Sequence, residues 1–241
     1  MNIMFLQGAG GTGKSSVIKH LQSLFADVGN GGVYTLSSST RASYAKLGIT
    51  SETESLVMDN ETRVKLQLQV MEDWANDIAQ KAEFIRRTDP NEYSLLVVDR
   101  GPFDRMAYWL LTMMECNPGS VANFTERMTK MLEWVDSLDA MSVVYMEFPY
   151  PVSWSTQDAF RTTNELQTMA LSLMISQMCF RYHMHSKTHA RYWRLEEMLG
   201  PQADALSRAK EILTRYGNLV DNYLSVRRAP KRSLLDRLTG R

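Results

Sequence analysis

The chain has 241 residues, 44% of them apolar and 22% charged, and its 27 acidic side chains balance its 27 basic ones. A chain of this length holds one large α/β domain or two small ones, and it reads as one. Zero net charge excludes a protein that grips nucleic acid through its overall field, and no long apolar run suggests a membrane span. Cys116 and Cys179 stand in apolar helical surroundings, which points to buried thiols rather than a disulfide framework. The apolar start runs into a glycine-rich loop without a basic leader or cleavage site, so a cytoplasmic protein is expected. Sixteen methionines fit an adaptable core.

Asn2 to Gln7 reads as a short strand buried on both faces. Gly8-Ala9-Gly10-Gly11-Thr12-Gly13-Lys14-Ser15 follows it and satisfies every fixed position of the phosphate-loop pattern G-x-x-x-x-G-K-[ST]. Glycines let backbone N–H groups turn around phosphate oxygens, Lys14 adds a mobile charge, and the helix starting near Gly13 aims its positive end at the same anion. Gly8, Gly10, Gly11, Thr12, Gly13, Lys14, Ser15 and Ser16 are therefore the expected ATP contacts, with Ser15 on Mg²⁺. The first helix runs from about Lys14 to Ala26, its apolar side made by Val17, Ile18, Leu21, Leu24 and Phe25.

After a turn at Asn30-Gly31-Gly32, Val33 to Leu36 is strand two. The hydroxyl-rich stretch Ser37 to Tyr44 leaves the carboxyl end of that strand, where open α/β sheets bind ligands. The spacing of Val64, Leu68, Met71, Trp74, Ile78, Ala82 and Ile85 predicts a helix from about Asn60 to Arg87 with Trp74 in its packing stripe. Asp89-Pro90-Asn91 breaks it, and Tyr93 to Asp99 is strand three, an apolar run ending in a carboxylate suited to hold Mg²⁺ or its water. Helices are expected over about Phe103–Glu115 and Val121–Ser137, and strand four over Met141–Glu147. A polar stretch from Val152 to Asn164 precedes a helix that is apolar over much of its surface, from Leu166 to Phe180. Ala190 to Leu195 reads as strand five, a last helix runs from Gly200-Pro201 to about Tyr216, and six basic residues lie in the final fifteen.

Strands alternating with helices predict a three-layer α/β sandwich on a mainly parallel five-stranded sheet with helices on both faces. Residues 1–223 are expected to form it, with 37–90 as the acceptor region, 152–165 as a lid and 224–241 as a basic tail.

The run Asp99-Arg100-Gly101-Pro102-Phe103-Asp104-Arg105-Met106-Ala107-Tyr108-Trp109 resembles the Asp-Arg…Ala-Tyr motif of thymidylate kinases, within the P-loop nucleoside and nucleotide kinases. The resemblance implies that Asp99 lies near the transferred phosphoryl group and Mg²⁺, and that Arg100 lies beside the acceptor phosphate and the reaction centre. Asp104 stands where that family usually has Ser, and Trp109 where it often has Gln. Ser155 to Arg161 is similar to the arginine-bearing lid of these kinases and to the Asp-x-x-Arg of nicotinamide riboside kinase-type domains, which marks Arg161 as a catalytic candidate. Arg41 is placed to clamp an acceptor phosphate bidentately, with Tyr44 and Phe103 flanking a base and Asp104 nearby. Lys14, Asp99, Arg100 and Arg161 form the expected catalytic set.

The reading is thus an ATP- and Mg²⁺-dependent kinase of a nucleoside or nucleotide, thymidine-like in its acceptor. A second reading keeps the chemistry and makes the acceptor a hydroxymethylated pyrimidine within DNA, as in a bacteriophage modification pathway acting in the host cytoplasm. Its support is the aromatic and basic stretch Phe180 to Arg194 together with the basic tail. A third is a P-loop ATPase, although Arg100 occupies the place where such motors commonly carry a water-activating glutamate. Whether the chain forms a homodimer stays open at this level.

Overall fold

A computed structural model describes residues 1–26, 32–38, 40–50, 54, 57–89, 91, 93–148, 165–185, 190–194 and 204–228, without the side chains at 25, 26, 41, 165 and 219–228. Five strands form one sheet: β1 (Asn2–Gln7), β2 (Val33–Leu36), β3 (Leu95–Asp99), β4 (Val143–Glu147) and β5 (Ala190–Arg194). The order across the sheet is β2-β3-β1-β4-β5, and every pairing is parallel.

Alternation along the strands splits the core in two. Ile3, Phe5, Leu96, Val98, Val143 and Tyr145 face one cluster. Their neighbours Met4, Leu6, Leu95, Val97, Val144 and Met146 face the other. Right-handed crossovers decide which helix covers which face. The chain moves one way from β1 to β2, carrying α1 (Lys14–Ala26) onto the second face, where α7 (Ala205–Arg228) joins it. Every later step moves the opposite way. Helices α3 (Asn60–Thr88), α4 (Pro102–Cys116), α5 (Phe124–Ser137) and α6 (Glu165–Tyr182) accordingly cover the first face. The fold is α/β with a parallel sheet and helices on both sides, as the alternation of elements predicts.

Helix α3 shows why these elements start and stop where they do. Asp59 caps it by accepting from the Thr62 amide at 2.9 Å, Glu61 stands in its positive first turn, and Arg86 and Arg87 stand in its last. Its inward seam of Leu66, Val70, Trp74, Ile78, Ala82 and Ile85 is buried. At its far end the Asp89 carboxylate accepts from Ser94 Oγ at 2.6 Å, the Asn91 amide at 2.9 Å and Tyr34 OH at 3.0 Å, joining the helix to β2 and to the approach of β3. These hydrogen bonds, Ser94's foremost, hold the carboxyl below its ordinary 3.8. A carboxyl held low stabilises the fold above 3.8 and loses that contribution as the pH falls through its depressed value. Asp89→Asn is therefore expected to cost about 1–2 kcal/mol at pH 7. In urea melts across pH, the gap from the parent should close below pH 3.8; a gap constant with pH would refute the assignment.

Several boundaries differ from the sequence reading. Helix α2 (Thr40–Lys46) begins inside the hydroxyl-rich stretch, where polar residues give no apolar period to read. It is fastened from outside, by Ser43 Oγ to Asp73 Oδ2 at 2.7 Å. A 3-10 turn over Pro118–Asn123 precedes α5, which starts at Phe124 rather than Val121. Helix α7 starts at Ala205 and runs past Tyr216 to Arg228, so the first residues of the segment assigned to the tail are helical. The rest of that tail and most of the stretch read as a lid lie outside the described residues. Among the described residues, no helix is long and apolar enough to cross a membrane.

Candidate functional site

Residues 8–13 leave the carboxyl end of β1, the central strand, and turn into α1. Gly8, Gly11 and Gly13 take φ of 146°, 82° and 86°, a region closed to most side chains. At Gly8 a Cβ would also stand 2.5 Å from the Phe148 carbonyl oxygen, so the loop and the end of β4 meet backbone to backbone. At Gly10 a Cβ would meet nothing within 4 Å. Lys14 is buried, and its Nζ donates to Gly8 O at 2.6 Å, Ala9 O at 2.8 Å and Thr12 Oγ1 at 2.9 Å. The loop therefore folds around its own ammonium group. Ser15 and Ser16 are exposed at the start of α1.

Strand β3 runs beside β1 with Asp99 opposite Leu6. That register delivers the carboxylate to the loop, where Ser15 Oγ donates to Asp99 Oδ2 at 2.8 Å. Two residues separated by 84 positions thus share one hydrogen bond. A hydroxyl and a carboxylate make a hard oxygen donor set, which fits Mg²⁺ arriving with phosphate oxygens as further ligands. These are the residues that could hold it.

Arg100 turns the chain sharply at the strand end. Its φ of 74° is unusual for a residue with a side chain and costs about 1–2 kcal/mol. Two contacts hold it there: its amide donates to Leu6 O at 3.1 Å, and Trp74 Nε1 donates to its carbonyl at 3.2 Å. Trp74 is thus both core and clamp. The guanidinium stacks over Tyr108 at 5.0 Å and lies 3.5 Å from Asp104 Oδ1. Burial opposes its charge, but Tyr108, Asp104 and Asp99 outweigh burial and hold it protonated, above the ordinary arginine value.

Asp104 is fully buried. Its Oδ1 accepts from the Gly8 amide and its Oδ2 from the Gly101 amide, each at 3.1 Å, while its own amide donates to Gln7 Oε1 at 3.1 Å. One side chain therefore ties the phosphate loop to the first turn of α4. Burial pushes its carboxyl above the ordinary value, against the pull of Lys14, Arg100 and the two amides. A Cβ at Gly101 would stand 2.5 Å from the Gln7 side-chain amide, so a larger residue there would have to displace the group that accepts from the Asp104 amide.

Three residues that motif reading does not single out complete the surroundings. Arg105 is 2% exposed, donates to Thr40 Oγ1 at 2.8 Å and Ser38 Oγ at 3.4 Å, and lies over Trp74 at 5.7 Å. Among the described residues no carboxylate comes within ion-pair distance of it, and burial followed by Arg100 pulls its pKa down to about 10. Gln7 supplies the acceptor for the Asp104 amide. Arg208 reaches across from α7 to donate to Thr12 O at 3.2 Å, with its guanidinium 5.9 Å from the Phe148 ring. The signal for Arg105 lay within the Asp-Arg run itself; nothing in the sequence connects Arg208 to the loop.

Two of the remaining candidates pack in apolar clusters. Phe103, expected beside a base, is buried in the core against Tyr145, with ring centroids 4.9 Å apart. Tyr44 packs on a small cluster of Ile49, Leu66 and Val70. Arg41 stands in the first turn of α2, but its side chain lies outside the described residues, as do Arg161 and Asp158 altogether. Of the aromatic and basic stretch, Tyr182 packs edge-on against Phe124 and Tyr192 OH donates to Glu147, while Phe180 is exposed. Burial and then Glu147 raise the Tyr192 pKa.

No protein-family model matches this chain, and comparison with curated proteins finds no significant match.

Proposed function

We propose that the chain is an ATP-dependent kinase that transfers the γ-phosphoryl group to a nucleoside or nucleotide, thymidine-like in its base. The observation that carries this reading is the 2.8 Å contact between Ser15 and Asp99 at the mouth of a loop wrapped around Lys14. Phosphoryl transfer asks for positioning and charge neutralisation more than for covalent chemistry. The loop amides and the α1 N-terminus would receive the β and γ phosphates, and Lys14 would exchange its two carbonyls for phosphate oxygens. Ser15 and Asp99 would hold Mg²⁺, which when bound offsets charge on those oxygens. Arg100, held protonated at the end of β3, adds positive charge beside Asp99.

Arg105 favours a nucleotide over a neutral nucleoside. Among the described residues the hydrogen-bond partners of this buried guanidinium are hydroxyls and no carboxylate lies within ion-pair distance, so an acceptor phosphate would add a direct counter-charge. With a phosphate as acceptor no strong base is required; with a hydroxyl, Asp99 is the base at hand.

Labelled ATP offered with nucleosides, nucleoside monophosphates and a duplex containing hydroxymethyluracil tests the reading. Label is expected on a pyrimidine monophosphate. Product on DNA alone would replace the free nucleotide with a base in a duplex. Hydrolysis with no labelled acceptor would overturn the kinase and leave an ATPase.

A further inference from the structure

Helix α7 is fastened to the rest of the fold in two places. Towards the amino edge of the sheet, Tyr216 OH accepts from Asn2 Nδ2 at 2.8 Å and donates to the Tyr93 carbonyl. Between the two, Ala209 and Ile212 are buried with Val17, Ile18 and Leu21 of α1. At the carboxyl edge the contact is polar: Arg208, buried in the first turn, donates from Nη1 to Thr12 O at 3.2 Å, with its guanidinium 5.9 Å from the Phe148 ring. An arginine is unfavourable there on two counts. A cation in the first turn opposes the helix dipole, and burial takes a guanidinium out of water. Burial pulls its pKa down, and the Asp204 carboxylate, which caps the helix by accepting from the Ser207 amide at 2.7 Å, offsets only part of this. A local rule broken in this way at the edge of a candidate site points to a task for the residue that breaks it.

We propose that Arg208 is a positioning residue of the phosphate loop, which fixes the Thr12–Gly13 peptide in the orientation that binds phosphate and so links nucleotide binding to the docking of α7. This role rests on the reading of Gly8 to Ser15 as a phosphate cradle, and not on the acceptor or on the transfer. A planar trans peptide sends its carbonyl and its amide hydrogen to opposite sides, so a donor that holds Thr12 O turns Gly13 N–H away from α7. The same hydrogen bond polarises the peptide and strengthens that N–H as a donor. Gly13 gains most from such a restraint, because its φ of 86° is one of several conformations open to a glycine. The first peptides of the loop are held by other groups: Lys14 Nζ holds the carbonyls of Gly8 and Ala9, and Asp104 holds the Gly8 amide. Lys14 is the donor that phosphate would draw away. Arg208 belongs to α7 and would keep its carbonyl.

Titration calorimetry on the full chain with MgADP and with magnesium pyrophosphate tests this without any acceptor. Arg208→Met keeps much of the buried stem and removes the donor, and it should weaken both ligands by about tenfold, the scale of one hydrogen bond made by a charged group. Arg208→Lys, whose ammonium can still serve one carbonyl, should bind within about threefold of the parent. Tyr216→Phe loosens the other fastening of α7, and should lower the melting temperature while leaving both affinities unchanged. Linkage runs both ways, so saturating MgADP should slow hydrogen exchange in the parent chain from Ser207 to Ile212 more than in α5, a readout that needs no variant to fold. Arg208→Met that binds both ligands like the parent overturns the proposal, as does equal slowing in α7 and α5. Loss of MgADP with pyrophosphate unchanged also overturns it, and moves Arg208 to the nucleoside end of the ligand. Equal losses of affinity in Tyr216→Phe and Arg208→Met overturn it by reducing the effect to helix stability. A parent that binds neither ligand removes the phosphate cradle and this role with it. A parent that binds both but transfers nothing removes the kinase and leaves the role of Arg208 standing.

Discussion

Lys14→Ala is expected to lower transfer from labelled ATP to the best acceptor by about 10³-fold, the scale set by removing one charge-stabilising donor from a phosphoryl or oxyanion site. The reason lies in how the loop is built. Nζ holds Gly8 O, Ala9 O and Thr12 Oγ1 within 2.9 Å of one compact ammonium. A planar guanidinium does not fit the same three acceptors, so Lys14→Arg should fail to rescue transfer. Single-turnover rates separate lost chemistry from weakened ATP binding. Full activity in Lys14→Ala would remove the loop from the mechanism, whatever the acceptor.

Asp104→Ala should cost about 3–5 kcal/mol, the scale for removing one partner of a buried ion pair and leaving the other uncompensated. For a chain of this length that lowers the melting temperature by about 10 °C. Two backbone amides, those of Gly8 and Gly101, would lose their acceptor, and Arg100 would lose the carboxylate 3.5 Å away. Asp104→Asn keeps one acceptor oxygen and should fall between the parent and the alanine variant. Calorimetry with steady-state kinetics decides its role. Its position in the Asp-Arg run led to the expectation of an acceptor contact, which would show as a raised KM at unchanged melting temperature. The buried geometry leads to the opposite expectation, a loss of stability.

The two outcomes show how far motif and placement can part. Asp104 stands in a run that resembles an acceptor-binding motif, but its neighbours in space are the loop and the first turn of α4. Arg105, one residue on, is a charged residue in a helix, a pattern that does not by itself imply burial, and the fold buries it against Ser38 and Thr40. Helix α2 leaves no apolar period in the sequence because its fastening comes from Asp73 and Arg105. Phe103 and Tyr44 looked like base-flanking aromatics because aromatics near a motif have two uses, and composition alone does not choose between them. The fold places both in apolar packing.

What the sequence determined by itself is local. Apolar runs made strands, 3.6-residue stripes made helices, glycines at Gly8, Gly11 and Gly13 allowed positive φ, and alternation of strand with helix required a parallel sheet. These follow from backbone geometry and nearest-neighbour patterning, which leave their mark on adjacent residues. What only the tertiary structure decided is proximity across distance. Register between β1 and β3 brings Asp99 to Ser15, packing beside α1 puts α7 and Arg208 against the loop, and burial converts Asp104 from a motif position into a strut. Hydrogen bonds and charges act over a few ångströms in space, and only the folded chain sets which residues come that close.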